Sequence, residues 1–165
     1  MIKEFLMTLG VVLSPPDMAK VCNDSCAISQ AGIALIQNAE GYSPFVYPDA
    51  VGLPTVGYGH LLLPGEKIKE PLLPIDAQKL LEFDVRKKER KVNRLVAVPL
   101  NQAQYDALVS FTFNVGEGAL SKSTLLKRVN QKRHPEVPPE FHKWVYAQGK
   151  KLSGLVRRRA AEASL

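Results

Sequence analysis

The spacing of hydrophobic residues along this chain changes from helical to extended and back to helical. Residues 28–39 have apolar residues at helical spacing, Ser29 stands where an N-cap is expected, and Gly41 follows as a natural helix end. Two short β-prone runs, FVY and TVGY, come next and are separated by a stretch rich in proline and glycine. The pattern predicts a helix followed by a β-hairpin or three-stranded ribbon, extended by residues near 67–68.

Helical spacing dominates the rest of the chain. A long amphipathic helix is expected from a cap at Asp76 to about Val96, and a second helix from a cap at Asn101. A short helix over 122–131, a loop over 133–140, renewed helical spacing over 140–147 and a basic final helix complete the pattern. The sequence therefore predicts an α+β, mainly helical fold. A small β-ribbon lobe near 27–75 precedes a long connecting helix and a helical C-terminal lobe.

The first residues fit neither lobe. Phe5 to Ser14 form an apolar run of ten residues, which is too short to cross a bilayer as a helix. A hydrophobic helix ended by Pro15 and Pro16 is favoured over a membrane-targeting segment, because no clear cleavage site follows. We treat residues 1–27 as an N-terminal extension of uncertain role.

Composition and charge narrow the choice of partners. The chain of 165 residues has 22 Lys and Arg against 16 Asp and Glu, a net charge of +6 that favours a polyanionic partner. Cys22 and Cys26 are the only cysteines, and with three histidines at unrelated spacings they predict no metal site. Free thiols are favoured over a short disulfide, and no basic–aromatic module for nucleic acid is found.

The ribbon places acidic residues where they can act together. Glu40 is expected at the C-terminal end of the first helix, where the helix dipole disfavours a carboxylate's charge and so suits a proton donor. Asp49 and Thr55 follow on the ribbon. Two carboxylates and a water-holding hydroxyl suit the cleavage of a glycosidic bond. On composition alone, an ordinary helix-end acid and an ordinary turn aspartate remain the simpler interpretation.

The spacing of these three residues favours the catalytic interpretation. Glu40, eight residues, Asp49, five residues, Thr55 and then GYGH resembles the Glu-x8-Asp-x5-Thr pattern of the phage lysozyme or endolysin family, glycoside hydrolase family 24. The resemblance continues in VPLNQAQYDALVSFTFNVG, STLLKRVNQ and the C-terminal FHKWVYAQGKKLSGLVRRRAAEASL, and is closer to the lambdoid-phage branch. It implies a lysozyme-like two-lobed domain over residues 28–165.

The resemblance also implies a reaction. Glu40 is then the general acid, and Asp49 with Thr55 activates water, so that the β-1,4 bond between N-acetylmuramic acid and N-acetylglucosamine in bacterial peptidoglycan is hydrolysed with inversion and without a cofactor. A lytic transglycosylase and a non-catalytic peptidoglycan-binding module are the alternatives.

Four further residues are candidates for binding substrate. Tyr47 is expected to line the sugar cleft or to pack, and His60 either braces the hairpin or is purely structural. Asn114 lies where relatives offer a polar side chain to the sugar, with a helix C-cap as its alternative. Among the three consecutive C-terminal arginines, Arg157 is the one chosen to support the cleft.

Partners and location follow from the same resemblance. It implies a monomer that acts on peptidoglycan without binding nucleic acid, and an anionic outer-membrane surface is a further candidate partner. Synthesis in the host bacterial cytoplasm and action on the periplasmic wall after holin-mediated permeabilisation would lead to host cell lysis. Membrane-tethered export through the N-terminal apolar segment is the alternative route.

Overall fold

A computed structural model describes residues 26–49 and 51–165. The elements in chain order are α1 (Gln30–Glu40), β1 (Ser43–Pro48), β2 (Pro54–Gly57), β3 (His60–Leu61), α2 (Pro74–Leu95), α3 (Gln102–Val115), α4 (Glu117–Lys122), α5 (Thr124–Asn130), a 3-10 turn (His134–Glu136), α6 (Val137–Phe141), β4 (Tyr146–Ala147), β5 (Lys150–Lys151) and α7 (Ser153–Ala163). The expected α+β, mainly helical fold is confirmed. The apolar run over residues 5–14, Cys22 and most of the expected N-terminal extension lie outside the described residues.

The ribbon is a small antiparallel sheet in the order β1-β2-β3. Tyr47 pairs with Thr55 between the first two strands, and Val56 pairs with His60 between the last two. No strand forms at residues 67–68, so the predicted extension there is wrong. That segment instead packs its Ile68 against a small apolar cluster formed by Val56, Leu72 and Ala77.

Helix α2 joins the two lobes. Its first turns contribute Ala77 and Leu80 to the small cluster under the sheet, whereas Leu81, Val85 and Val92 belong to the large core of the helical lobe. The 22-residue helix is about 33 Å long at ~1.5 Å per residue, long enough to span both. The expected connecting helix is therefore present, although it begins at Pro74 with Leu73 as N-cap and not at Asp76. Proline suits a first helical position because its missing N–H has no partner there.

Helix α3 forms the centre of the helical lobe. It begins at Asn101, as predicted, with a capping box in which Asn101 and Gln104 each accept a hydrogen bond from the other's backbone N–H. The helix packs against α1, α2, α4 and α7. Eight consecutive residues from Tyr105 to Thr112 are buried, so this helix is surrounded on all sides.

The C-terminal region differs from the sequence-based prediction in two places. Residues 133–140, expected to form a loop, contain the 3-10 turn and most of α6, which two prolines in its first turn help to begin. Residues 144–147, expected to be helical, instead lead into the β4–β5 hairpin, which turns at Gln148 and Gly149 with positive φ. Within the described part of the chain, no helix has the length and apolar character needed to span a bilayer.

Candidate active site

Glu40 is the last residue of α1. The helix ends there because Gly41 adopts φ of 75°, a conformation that glycine tolerates, while its N–H still donates to the Gln37 carbonyl at 2.9 Å. The Glu40 side chain is 23% exposed and so is only partly accessible to solvent. Its carboxyl group therefore lies at the surface of the helical lobe, on the side where the chain enters the sheet.

Arg158 of α7 makes an ion pair with Glu40. The distance from Arg158 Nη1 to Glu40 Oε1 is 2.5 Å, and the arginine side chain is 4% exposed. Arg158, and not Arg157, is therefore the arginine that supports Glu40; Arg157 is exposed on the same helix and lines a shallow depression with Leu35 and Asn38, and its contact with substrate stays a prediction. Adjacent residues on a helix point about 100° apart, so only one of the three arginines can meet Glu40 in this way.

The GYGH turn packs directly against the Glu40 carboxyl group. Gly59 has φ of 84°, and a Cβ atom built on it would lie 3.4 Å from Glu40 Oε2. Gly59 also lines a groove of about 480 Å³ between β3 on one side and α2 and α3 on the other, where Leu61, Phe83 and Phe113 supply apolar surface. Gly59 is thus shared between this groove and the surroundings of Glu40, although Glu40 itself does not line the groove.

The Asp49 carboxylate is held by the turn that follows β1. Its Oδ1 accepts hydrogen bonds from the backbone N–H groups of Val51 at 2.9 Å and Leu53 at 2.8 Å. The backbone of Asp49 is also bonded to Leu53, with its N–H donating to the Leu53 carbonyl at 2.9 Å. This aspartate turn fixes the orientation of the carboxylate without using another side chain.

Thr55 lies on β2, buried to 5% exposure. Its hydroxyl donates to the Leu53 carbonyl at 3.1 Å. A hydroxyl group has one proton and two lone pairs, so Thr55 Oγ1 retains the capacity to accept a hydrogen bond from a water molecule.

Tyr47 lies on β1, between Glu40 and Asp49 in the chain. It faces Thr55 across the β1–β2 ladder and is two residues before Asp49. Burial raises the pKa of the Tyr47 phenol, and the negative charges of Glu40 and Asp49 raise this pKa further. Tyr47 pairs with Thr55, and the charges of both acids act on its phenol. That Glu40, Asp49 and Thr55 work together as one catalytic site stays a prediction.

His60 is engaged on both sides of its ring. Nδ1 lies 2.6 Å from Asp84 Oδ2 on α2, and Nε2 lies 3.1 Å from Glu66 Oε1 in the following loop. The side chain is buried and ties β3 to the connecting helix. This arrangement fits the structural alternative that the sequence left open for His60.

Asn114 is an exposed residue near the end of α3, and its side-chain oxygen accepts a hydrogen bond from Arg159 Nη2 at 3.0 Å. Gly116, with φ of 84°, provides the C-cap of this helix. The amide group of Asn114 is therefore oriented by a buried arginine while the residue itself reaches the surface, and its contact with sugar stays a prediction.

Glu162 is a buried carboxylate that the sequence analysis did not select. It is 1% exposed, and its Oε1 accepts hydrogen bonds from Ser110 Oγ at 2.7 Å and Arg158 Nε at 3.2 Å. The four-residue spacing from Arg158 to Glu162 was the available signal, since such pairs meet on one helical face. In the described residues, no cluster of three or more His, Cys, Asp or Glu side chains could hold a metal ion.

Solved structures define the class of fold. The muramidase domain of SpmX from Asticaccaulis excentricus matches with a TM-score of 0.77 and 38% sequence identity, covering 85% of this chain and 97% of that one. The arrangement of a β-ribbon lobe, a connecting helix and a helical lobe is thus lysozyme-like, as predicted.

Sequence relatives define the family. The family model described as Phage lysozyme matches residues 37–162. The endolysin of Salmonella phage P22 is 38% identical, with 84% of this chain and 96% of that protein covered. A SAR-endolysin of Bacteriophage PS119 is 32% identical, with 94% and 95% covered. The chain belongs to the phage lysozyme family, which confirms the resemblance found in its sequence.

The relatives differ in length. The endolysin of Bacillus phage B103 is 42% identical, and the alignment covers 84% of this chain but 53% of that protein. The chain therefore spans about half the length of the Bacillus phage relatives that it matches, and nearly the whole of the P22 endolysin.

Proposed function

We propose that this chain is an endolysin that hydrolyses bacterial peptidoglycan between N-acetylmuramic acid and N-acetylglucosamine. The observation that supports the proposal is a helix-end acid, Glu40, ion-paired with Arg158, followed on the adjoining ribbon by the turn-held Asp49 carboxylate. Membership of the phage lysozyme family supports the same substrate. A pair of carboxylic acids is what glycoside hydrolysis requires.

Glu40 acts as the general acid that protonates the leaving sugar oxygen. Its contact with Arg158 fixes the carboxyl group, and Gly59 packs beside Oε2, where an added Cβ would lie 3.4 Å away. The Asp49 carboxylate is the partner that draws a proton from the attacking water. Its two backbone hydrogen bonds hold it in place while the positive charge develops on the sugar ring.

Thr55 positions the water. Because its proton is donated to Leu53, the hydroxyl oxygen offers lone pairs and orders a water molecule by accepting from it. Attack by a water held on the ribbon side, with the acid on the helix side, gives a single displacement with inversion at the anomeric carbon.

The test is product analysis after digestion of purified peptidoglycan. We expect Glu40→Gln to lower the release of new reducing ends by about 10²- to 10⁴-fold, the contribution typical of a general acid, with an unchanged circular dichroism spectrum. Glu136→Gln is the matched control because Glu136 is an exposed acid paired with Arg128 on the helical lobe. Equal activity of Glu40→Gln and wild type would contradict the proposed role of Glu40.

The same digest separates the related activities. Hydrolysis gives muropeptides with reducing ends, and proton NMR of the first product formed reports inversion at the anomeric carbon. Products that end in 1,6-anhydro sugars would identify a lytic transglycosylase instead. Binding to peptidoglycan without any released sugar would identify a non-catalytic wall-binding module.

We propose that the protein reaches the wall by synthesis in the host cytoplasm followed by holin-dependent release. The alternative, membrane-tethered export, has support of its own. Relatives named SAR-endolysins align with up to 94% of this chain, and Cys26 is disulfide-bonded, which fits an oxidising compartment. The expectation of a free thiol at Cys26 is wrong.

Expression without a holin decides the route, because lysis in that strain supports export and its absence supports holin-dependent release.

A further inference from the structure

A buried group of charges continues from Glu40 into the helical lobe. Arg158 touches Glu40 with Nη1 and Glu162 with Nε, so one guanidinium is shared by two carboxylates. Arg159 lies beside them, with its Nε 3.0 Å from Glu162 Oε2 and its Nη2 donating to Asn114. The side chains of Arg159 and Glu162 are both 0% exposed, so water screens neither charge.

Glu162 is fixed from two helices. On α7 it meets both arginines, and from α3 the Ser110 hydroxyl donates to its Oε1 at 2.7 Å. The Ser110 carbonyl in turn accepts from Arg158 Nη2 at 3.0 Å, which closes a ring of contacts around the guanidinium that faces Glu40. A guanidinium held at three of its nitrogen atoms cannot rotate away from Glu40.

The charges in this group do not balance. Two arginines and one glutamate leave a single positive charge next to Glu40, and the negative charges of Glu162 and Glu40 both raise the pKa of Arg159. Burial lowers the pKa of Arg159 to about 10, so this arginine stays positive at neutral pH. Burial also raises the pKa of Glu162, and the arginine pair opposes that increase.

We propose that Glu162 is a positioning residue that holds Arg158 on Glu40 and, by cancelling one of the two arginine charges, keeps Glu40 able to carry its proton. Without the negative charge of Glu162, the positive charges of Arg158 and Arg159 would both be uncompensated in this group, and nearby positive charge favours a carboxylate over the carboxylic acid that donates a proton. This inference rests on the proposed hydrolase function and on Glu40 as its acid.

The test is the pH profile of kcat/KM for soluble peptidoglycan fragments at constant ionic strength. The alkaline side of this profile reports loss of the proton from the catalytic acid. We expect Glu162→Gln to move the alkaline limb to lower pH by about 1 unit, the order of effect of one charge in a partly buried site. A folded Glu162→Gln protein with an unmoved alkaline limb would overturn the inference.

A second variant is expected to move the limb the other way. Arg159→Gln removes one positive charge while its amide retains a hydrogen-bonding group for Asn114, so the alkaline limb should move to higher pH by about 0.5 to 1 unit. Opposite shifts cannot arise from general destabilisation of the helical lobe. An alkaline limb that Arg159→Gln leaves unmoved or moves to lower pH overturns the inference. If Glu162→Gln does not fold, the ionisation of Glu162 in the wild-type protein decides its role.

Controls separate this inference from the proposed function. Glu136→Gln makes the same chemical change at an exposed ion pair and should leave the limb in place. His134 lines the same cavity as Glu162, so His134→Gln tests whether this other titratable group contributes, and no movement is expected. A wild-type protein that releases no sugar defeats the hydrolase proposal. An active wild type with unmoved variants defeats only the role of Glu162.

One measurement needs no substitution. Carbon-13 NMR titration of the glutamate carboxyl groups in the wild-type protein should find Glu162 ionised over the whole pH range of activity. A neutral Glu162 in that range would overturn the inference even if neither variant folds.

Discussion

At the scale of single residues, Gly59 combines a backbone requirement with a contact to the catalytic acid. Its φ of 84° is strained for any other residue, and an added Cβ would approach Glu40 Oε2. Gly65 has nearly the same backbone angle, φ of 83°, but no heavy atom lies within 4 Å of its added Cβ. The two glycines therefore separate conformational strain from crowding of the site.

We expect Gly59→Ala and Gly65→Ala to lower the free energy of unfolding by similar amounts, about 1 to 2 kcal/mol, through backbone strain. Only Gly59→Ala should also reduce peptidoglycan hydrolysis severely, because its methyl group lies beside the Glu40 carboxyl group. Urea unfolding and reducing-end assays on both variants check this. Equal losses of activity in the two variants would contradict the role of Gly59 in admitting substrate.

Glu66 makes stability depend on pH at the acidic end. Its carboxylate accepts from the Leu63 N–H at 3.0 Å and contacts the His60 ring, and these contacts lower the pKa of Glu66 below its ordinary value of 4.5. A carboxyl group with a lowered pKa in the folded state stabilises the protein above pH 4.5 and loses that contribution as the pH falls through its folded pKa.

Glu66→Gln should therefore be less stable than wild type near neutral pH, and the difference should shrink as the pH falls below about 4.5. Urea unfolding at a series of pH values measures it. Glu82→Gln is a useful control, because Glu82 lies on α2 and accepts from Gln78, a neutral partner. A stability difference for Glu66→Gln that stays constant down to acidic pH would contradict this explanation.

At the scale of elements, the two long helices begin in different ways. Helix α3 has a complete capping box at Asn101, whereas α2 has Leu73 at the N-cap position with no hydrogen bond from its side chain. Proline at the start of α2 sets the backbone angle there and lacks the N–H that a cap would satisfy. The start of α3 depends on a side chain, and the start of α2 does not.

Asn101→Ala should lower the free energy of unfolding by about 1 kcal/mol, since it removes an N-cap acceptor. Leu73→Ala is the matched change at the other N-cap, where the side chain is 57% exposed and makes no cap bond, and it should have little effect. Thermal and urea unfolding of both variants check the difference. A larger loss for Leu73→Ala than for Asn101→Ala would contradict it.

At the scale of the whole molecule, a set of hydrogen bonds from α2 and α3 holds residues 26–29, the segment that precedes α1, against the helical lobe. Tyr105 donates to the Cys26 carbonyl at 2.9 Å, the Ile28 N–H donates to Glu89 at 2.6 Å, and the Ser29 N–H donates to Asp106 at 3.0 Å. Burial raises the pKa of Tyr105, so its hydroxyl keeps the proton that it donates. Helices α2 and α3 thus fix the segment that leads into α1 and Glu40.

Tyr105→Phe should expose the Ile28 and Ser29 amides to faster hydrogen exchange and lower the free energy of unfolding by about 1 kcal/mol, because the partly buried Cys26 carbonyl loses its donor. Tyr146→Phe is the control, since that side chain is 63% exposed on the β4–β5 hairpin. Residue-resolved hydrogen exchange makes the measurement. Unchanged exchange at Ile28 and Ser29 would contradict a holding role for Tyr105.

The sequence by itself determined the local features of this protein. Some features depend only on interactions over a few residues, so the sequence predicts them: the helix caps Ser29 and Asn101, the helix end at Gly41 and the proline- and glycine-rich ribbon. The candidate catalytic pattern of Glu40, Asp49 and Thr55 could be recognised for the same reason, because its spacing is set by one helix end and one short hairpin.

Only the tertiary structure decided which distant side chains meet. Arg158 and Glu40 are 118 residues apart, and a run of three arginines does not state which of them faces the core. The contact of His60 with Asp84 on the connecting helix and that of Glu162 with Ser110 on α3 form only when whole elements pack together. Such contacts depend on how helices rotate and pack against each other. The periodicity of one segment fixes its buried face, but the partner that this face meets depends on the rest of the fold.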